Sequence, residues 1–221
     1  MLTLVTIGWV AGALQVLGYL AYGRLVVRSE TSPNGMSWLM WAYGTFVLLA
    51  IEFDLDAPVS ILILPVLCTL CAVVIALYSF HKSSYIPPQK KDYIALTIDL
   101  VLMVAYIGLF IMEKAGLVTH TTQIDIALIF LLLTSVSTIV TFYPILRTTY
   151  ESPYNEKSLP WFIWTLAYSL LLYTVYMENI TWEYMVYPIL SIVLHALVGI
   201  LALTDEPRRQ PVQKNAFKKS K

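Results

Sequence analysis

Seven stretches of the chain are almost continuously apolar, at about residues 3–23, 36–53, 57–80, 93–112, 124–146, 160–177 and 183–204, with short polar segments between them. A hydrocarbon layer of ~30 Å is crossed by about 20 apolar residues in a helix. None of the runs alternates apolar and polar positions with a period of two, as a barrel strand would. They predict an all-α membrane protein with seven transmembrane helices. The segments left over are too short for a soluble catalytic domain, so the chain is expected to act within or across the bilayer.

Composition agrees. The chain has 221 residues, 58% hydrophobic and 13% charged, against about a quarter charged in soluble domains. Fourteen Lys and Arg balance fourteen Asp and Glu, a net charge of +0 that argues against nucleic-acid partners. Two cysteines exclude a disulfide scaffold. Met1–Gly12 lacks the basic start of a cleaved signal, so the N-terminus is expected to stay in the mature chain.

Charge placement predicts the orientation. Arg24, Arg28, Lys82, Lys90, Lys91, Arg147, Lys157, Arg208, Arg209, Lys214, Lys218, Lys219 and Lys221 fall in the segments after the first, third and fifth runs and in the tail. The opposite side holds Lys114 alone, beside Glu52, Asp54, Asp56, Glu113, Glu178 and Glu183. Under the positive-inside rule the N-terminus lies outside and the C-terminus in the cytoplasm, with the plasma (inner) membrane as the expected location. The tail, 205–221, reads as a solvated basic arm that sets topology or lies near anionic headgroups.

Rare residues recur at one offset. Arg24/Arg147, Trp38/Trp161, Trp41/Trp164 and Pro65/Pro188 are each separated by 123 residues, the difference between 147 and 24. The chain therefore divides into a first three-helix unit (1–80), a middle part with loop, connector helix and outer loop (81–123), a second three-helix unit (124–204) and the tail (205–221). An odd connector is what gives two three-helix units the same direction. Parallel repeats of this kind are an established carrier plan, with the solute site at mid-membrane between them.

The segments Gly18–Trp41, GYLAYGRLVVRSETSPNGMSWLMW, and Tyr143–Trp164, YPILRTTYESPYNEKSLPWFIW, resemble the PQ-loop segment of the SWEET and PQ-loop transporters. There a Pro-Gln near the cytoplasmic end of one helix leads through a basic stretch into the next. Pro144 keeps the proline, Ile145 stands in place of the glutamine, and Ala21-Tyr22 has neither residue. The Asn that many SWEET members carry in the third helix of each repeat is absent, with Leu64-Pro65 and Tyr187-Pro188 near those positions. The twin W-x-x-W of Trp38/Trp41 and Trp161/Trp164 is also similar to the Pnu-type vitamin transporters. The resemblance implies a 3+1+3 carrier, with sugars as first solutes and amino acids or ribosyl-vitamins next.

Thr134, Thr138 and Thr141, with Ser137 beside them, share one helical face, and their offset partners in the first run are Ala11, Gln15 and Gly18. They read as two walls of a cleft. The alternative is close helix packing, for which Gly8-x-x-x-Gly12 is ready. Gln15 is the sharpest member, because an amide in hydrocarbon needs partners. Trp41 and Trp164 read as platforms for a ring or as a gate, or else as part of an interfacial belt. Trp38, Trp161 and Trp182 are assigned to that belt, and Tyr173, Tyr176 and Tyr187 to the outer mouth. Thr45 and Tyr168 pair near mid-membrane. Gln15, Trp41, Thr45, Thr138, Trp164 and Tyr168 are thus the predicted substrate-binding set.

Pro65, Pro144 and Pro188 interrupt helical bonding inside runs and are expected hinges, static kinks being the alternative. Asp99 and His195 are the ionisable side chains, tyrosines aside, deep in a run, and so are the candidates for proton coupling. Asp99 lies on the connector, which in this architecture need not touch the solute path, and is expected to be protonated or bonded to Thr97 or a tyrosine. Cys68-x-x-Cys71 is expected to be packing. His81 and His120 lie in loops on opposite faces, so no metal site is expected, and no cofactor motif is legible. No Lys is deep in any run, which excludes a retinal protein, and no phosphate loop, H-E-x-x-H or G-x-S-x-G is present. The expected function is transport of a small neutral polar solute by alternating access, without enzyme activity, in the bilayer and with a homo-oligomer allowed. A Pnu-like vitamin or amino-acid carrier is the near alternative; a non-transporting receptor or assembly protein is the alternative of another class.

Overall fold

The computed structural model describes residues 2–81 and 89–203. Lys82 and the tail 205–221 lie outside the described residues. Seven helices follow in order: α1 (Leu2–Val27), α2 (Gly35–Asp54), α3 (Val59–His81), α4 (Lys90–Lys114), α5 (His120–Glu151), α6 (Ser158–Glu178) and α7 (Glu183–Leu203). A single 3-10 turn, Pro153–Asn155, sits between α5 and α6. Among the described residues all regular structure is helical, and seven helices are long and apolar enough to cross a membrane.

The ends follow local chemistry. Thr31-Ser32-Pro33-Asn34 breaks the helix after α1, and the Asn34 side chain caps α2 by accepting from the Ser37 amide at 3.2 Å. Asn179, in the left-handed region at φ 53°, closes α6. α5 runs five residues past its expected end at 146. Arg147, the charge that marked a loop, is neutralised by Asp92 on α4 at 3.1 Å. Thr148 and Thr149 bond back to the carbonyls of Pro144 and Ile145 at 3.0 and 2.7 Å, and the helix runs on to Glu151, just before the 3-10 turn that begins at Pro153.

Six helices close a ring: α1 packs on α3, α3 on α2, α2 on α5, α5 on α7, α7 on α6, and α6 on α1. α4 leans on the outside, against α5 and α2. It is the least buried of the seven helices. Gly8 and Gly12 let α1 approach α3: a methyl at Gly8 would strike the Ser60 carbonyl, and one at Gly12 the side chains of Ile63 and Leu67. Large apolar side chains such as Leu20, Phe46, Leu70, Val101 and Val193 face outward, as a lipid-facing surface requires. Arg24, Lys90, Arg147 and Lys157 mark one end of the bundle, the basic end. Glu52, Asp54 and Glu178 mark the other, the acidic end.

Candidate functional site

The ring encloses a cavity of ≈ 30 Å³, room for about two waters. Gln15, Trp41, Thr45, Thr138, Trp164 and Tyr168 all line it, so the six residues read from sequence meet in one place. Thr134, Ser137 and Thr141 line it too, along the same face of α5. Neither Asp, Glu, Lys nor Arg is among the lining residues.

Two sets of hydrogen bonds cross or flank the cavity. Tyr19 on α1 reaches the Cys68 sulfur at 3.3 Å, Cys68 reaches the Tyr168 hydroxyl at 3.6 Å, and Tyr168 meets the Tyr187 hydroxyl at 2.9 Å. The chain joins α1, α3, α6 and α7. Beside it, Thr69 donates to Thr45 at 3.0 Å, and Thr45 donates to the Trp41 carbonyl at 2.6 Å. The Trp164 indole N–H donates to the Gln15 carbonyl at 3.1 Å and binds α6 to α1. That approach is possible because residue 18 is glycine: a Cβ there would overlap the indole. The Gln15 side-chain oxygen is buried without a partner, an acceptor left for whatever enters.

Toward the basic end the cavity is floored by aromatic rings. Trp38, Trp41, Trp161, Trp164, Tyr22 and Phe142 pack with centroid separations between 4.6 and 6.4 Å. His195 stands among them, parallel to Trp41 (6.2 Å, 10°) and close to Phe142 (4.8 Å) and Tyr168 (5.0 Å). Its Nδ1 lies 2.7 Å from the Ser191 carbonyl, which can only accept, so Nδ1 carries the proton in this bond. Trp38 and Trp161 are therefore not belt residues. They are 1% and 0% exposed and form the centre of the cluster. Depth near a helix end is shared by belt and floor; the facing direction decides, and both indoles face inward. Tyr187 is corrected likewise, from the outer mouth to a buried cavity wall, whereas Trp182, Tyr173 and Tyr176 are exposed.

Beneath the floor a second closure seals the basic end. The Ser32 amide and the Thr31 hydroxyl both donate to the Asn155 carbonyl, tying the α1–α2 loop to the α5–α6 loop. Next to them Glu156 is 1% exposed and accepts from the Tyr22 hydroxyl and the Trp161 indole, each at 3.1 Å. Burial pushes its carboxyl up to about 8, against the pull of those donors. Sequence reasoning passed over Glu156 because nothing local marks a loop glutamate as buried. Tyr19, Cys68 and Phe142 were missed for a related reason, since only the facing direction distinguishes them from packing.

Pro65, Pro144 and Pro188 are buried inside α3, α5 and α7. Asp99 is not apart from the cavity: Thr141, a lining residue, donates to its Oδ2 at 3.0 Å, while Thr97 bonds back to Tyr93. α4 reaches the cavity wall because it packs against α5, which carries Thr141. Cys68 and Cys71 are free thiols, and among the described residues no cluster of His, Cys, Asp or Glu could hold a metal. No family model matches the chain, and neither a curated protein nor a solved structure matches it.

Proposed function

We propose that this chain is a carrier of the SWEET/PQ-loop type, moving a small neutral polar solute, a sugar first, by alternating access. In this reading residues 1–80 and 124–204 are parallel three-helix units with α4 as connector. The packing of α3 on α1 and α2, like that of α7 on α5 and α6, supports it. The observation that carries the proposal is the cavity between those two sets of helices. Hydroxyls and an amide line one part of it, aromatic rings another, and no fixed charge is present to hold an ionic solute. At ≈ 30 Å³ the cavity is collapsed around its own side chains, so a sugar enters only after the helices separate at one end. The closed basic end, lying in the cytoplasm under the positive-inside rule, is one gate. Pro65, Pro144 and Pro188 are the hinges, and Asp99 and His195 the candidates for proton coupling.

Counterflow in proteoliposomes, with labelled sugars, neutral amino acids and a ribosyl-vitamin, tests the reading. Accelerated exchange of one solute is the expected result. Trp164→Ala and Tyr168→Ala should each slow it roughly tenfold or more, the loss of one aromatic contact of about 1.4 kcal/mol. Full exchange in both correctly inserted variants would remove these residues from the site. Silence across the panel, with folded protein, would give the function to a receptor or assembly protein.

A further inference from the structure

The closure at the basic end has a titratable group at its centre. Glu156, in the loop before α6, accepts from the Tyr22 hydroxyl of α1 at Oε1 and from the Trp161 indole of α6 at Oε2, each at 3.1 Å. The Thr31 hydroxyl, from the loop after α1, stands within hydrogen-bonding reach of Glu156 and of Tyr22. Thr31 gives its own proton to the Asn155 carbonyl, which also takes the Ser32 amide at 3.1 Å. With that proton spent, the Thr31 oxygen can only accept toward Glu156. It is the acceptor that a protonated carboxyl needs.

Loss of the Glu156 proton reverses this bond. A carboxylate only accepts, so Thr31 turns its proton from Asn155 to Glu156, and the Asn155 carbonyl keeps the Ser32 amide alone. The new charge, on a residue 1% exposed, also gains by drawing water between the two loops. The charged groups around it have their own places. Arg24 at the end of α1 is exposed, Arg28 pairs with Glu30 at 3.9 Å on the surface, and Arg147 of α5 is held by Asp92. Glu151 is exposed, and Lys157, next in the chain, is half-buried. On α7, His195 stands beyond the Trp161 ring and gives its Nδ1 proton to Ser191. Burial outweighs the donors and keeps the Glu156 carboxyl up at about 8.

We infer that Glu156 is a proton-binding site that, through Thr31, locks the basic end of the bundle shut. The proton enters and leaves at that end, so it governs opening without crossing the membrane, unlike a coupling proton at Asp99 or His195. The inference rests on the reading that the basic end opens, but its test needs no solute. The closed form keeps its proton up to about 8, whereas a carboxyl opened to water releases it near 4.5. The open-to-closed ratio should therefore rise with pH between these values, by up to about tenfold per unit for one proton, and level off above them.

Spin labels on cysteines placed at the exposed Glu30 and Glu151, with Cys68 and Cys71 changed to Ser, report the separation of the two loops in the full chain by pulsed EPR. Infrared difference spectra over the same pH range follow the protonated carboxyl. A long-distance population that grows with pH is expected, together with loss of a carboxyl band that Glu156→Gln lacks. Glu156→Gln, whose amide donates to Thr31 at every pH, should stay closed throughout. Thr31→Val removes both the acceptor and the tie, and should separate the loops at acid pH as well; Thr31→Ser should keep the lock. A separation indifferent to pH in folded wild-type protein, or a response that survives in Glu156→Gln, would overturn the site. So would opening favoured by acid, or a Thr31→Val chain as closed at acid pH as the wild type. Counterflow decides the carrier reading separately: silence there, with pH-linked separation here, would remove the carrier and keep the lock.

Discussion

Position 18 shows how one missing methyl organises the site. Gly18 leaves the space that the Trp164 indole fills, and only there can its N–H reach the Gln15 carbonyl at 3.1 Å. Gly18→Ala should push the ring aside and cost about 1–3 kcal/mol, the usual range for overpacking. Thermal unfolding should show a lower Tm, and Trp164→Phe in the same chain should recover part of the loss, because the smaller ring vacates the methyl's place. Equal losses in the single and double variants would disconnect the two residues. Glu156 carries a different signature. Its folded carboxyl, near 8 rather than the ordinary 4.5, holds a proton that the unfolded chain releases sooner. Its contribution is therefore whole below pH 4.5, drains away as the pH rises, and is lost above about 8. The total change should be on the order of a few kcal/mol. Unfolding free energy measured between these limits should fall with pH, and Glu156→Gln should flatten that part of the curve.

Between elements, a buried ion pair ties α4 to α5. Arg147 and Asp92 side chains are 10% and 0% exposed, and the Asp92 oxygen at 3.1 Å from Arg147 also accepts the Gln89 amide that starts α4. Removing one partner strands a buried charge. Arg147→Met should cost roughly 3–5 kcal/mol, and Asp92→Asn added to it should restore most of this. Denaturant unfolding of the two variants checks the order. If the double variant is the less stable, Asp92 acts chiefly as a helix cap. The same pair explains where element boundaries were legible and where they were not. Six of the seven runs extend to within a few residues of the helices they predict, because a hydrophobic stretch long enough to span lipid has few alternatives. α5 was cut short at Arg147 because its neutralising partner is 55 positions away, a relation invisible to any local window. The prolines bear on motion. Pro144→Ala restores a backbone donor, so if Pro144 is a hinge, exchange should slow while solute binding stays within about twofold. A variant that exchanges at the wild-type rate would leave this proline a static kink.

At the scale of the molecule, the residues that line the cavity were legible because polar groups within the apolar runs are few. Depth could be read in this way, but facing could not. Trp38 and Trp161 occupy the level of a lipid belt yet point into the ring, and Asp99, on the outermost helix, reaches inward through Thr141. Cys68 belongs to the same class, and its position turns the alternating-access proposal into a chemical measurement. The thiol lies within the Tyr19–Cys68–Tyr168–Tyr187 chain, 3% exposed, where aqueous reagents meet it only if the cavity opens. With Cys71 changed to Ser, Cys68 is the single cysteine of the chain. A hydrophilic thiol reagent applied to sealed vesicles should label it slowly, at a rate set by how often the helices separate, since thiol reactivity requires access. A transported solute occupies the same space and should lower the labelling rate in proportion to its occupancy, whereas a solute that fails in counterflow should leave it unchanged. Labelling from each side of the membrane, with the reagent quenched on the other, then reports the two open states separately. Labelling from one side only, under every condition in which counterflow proceeds, would contradict alternating access at this cavity.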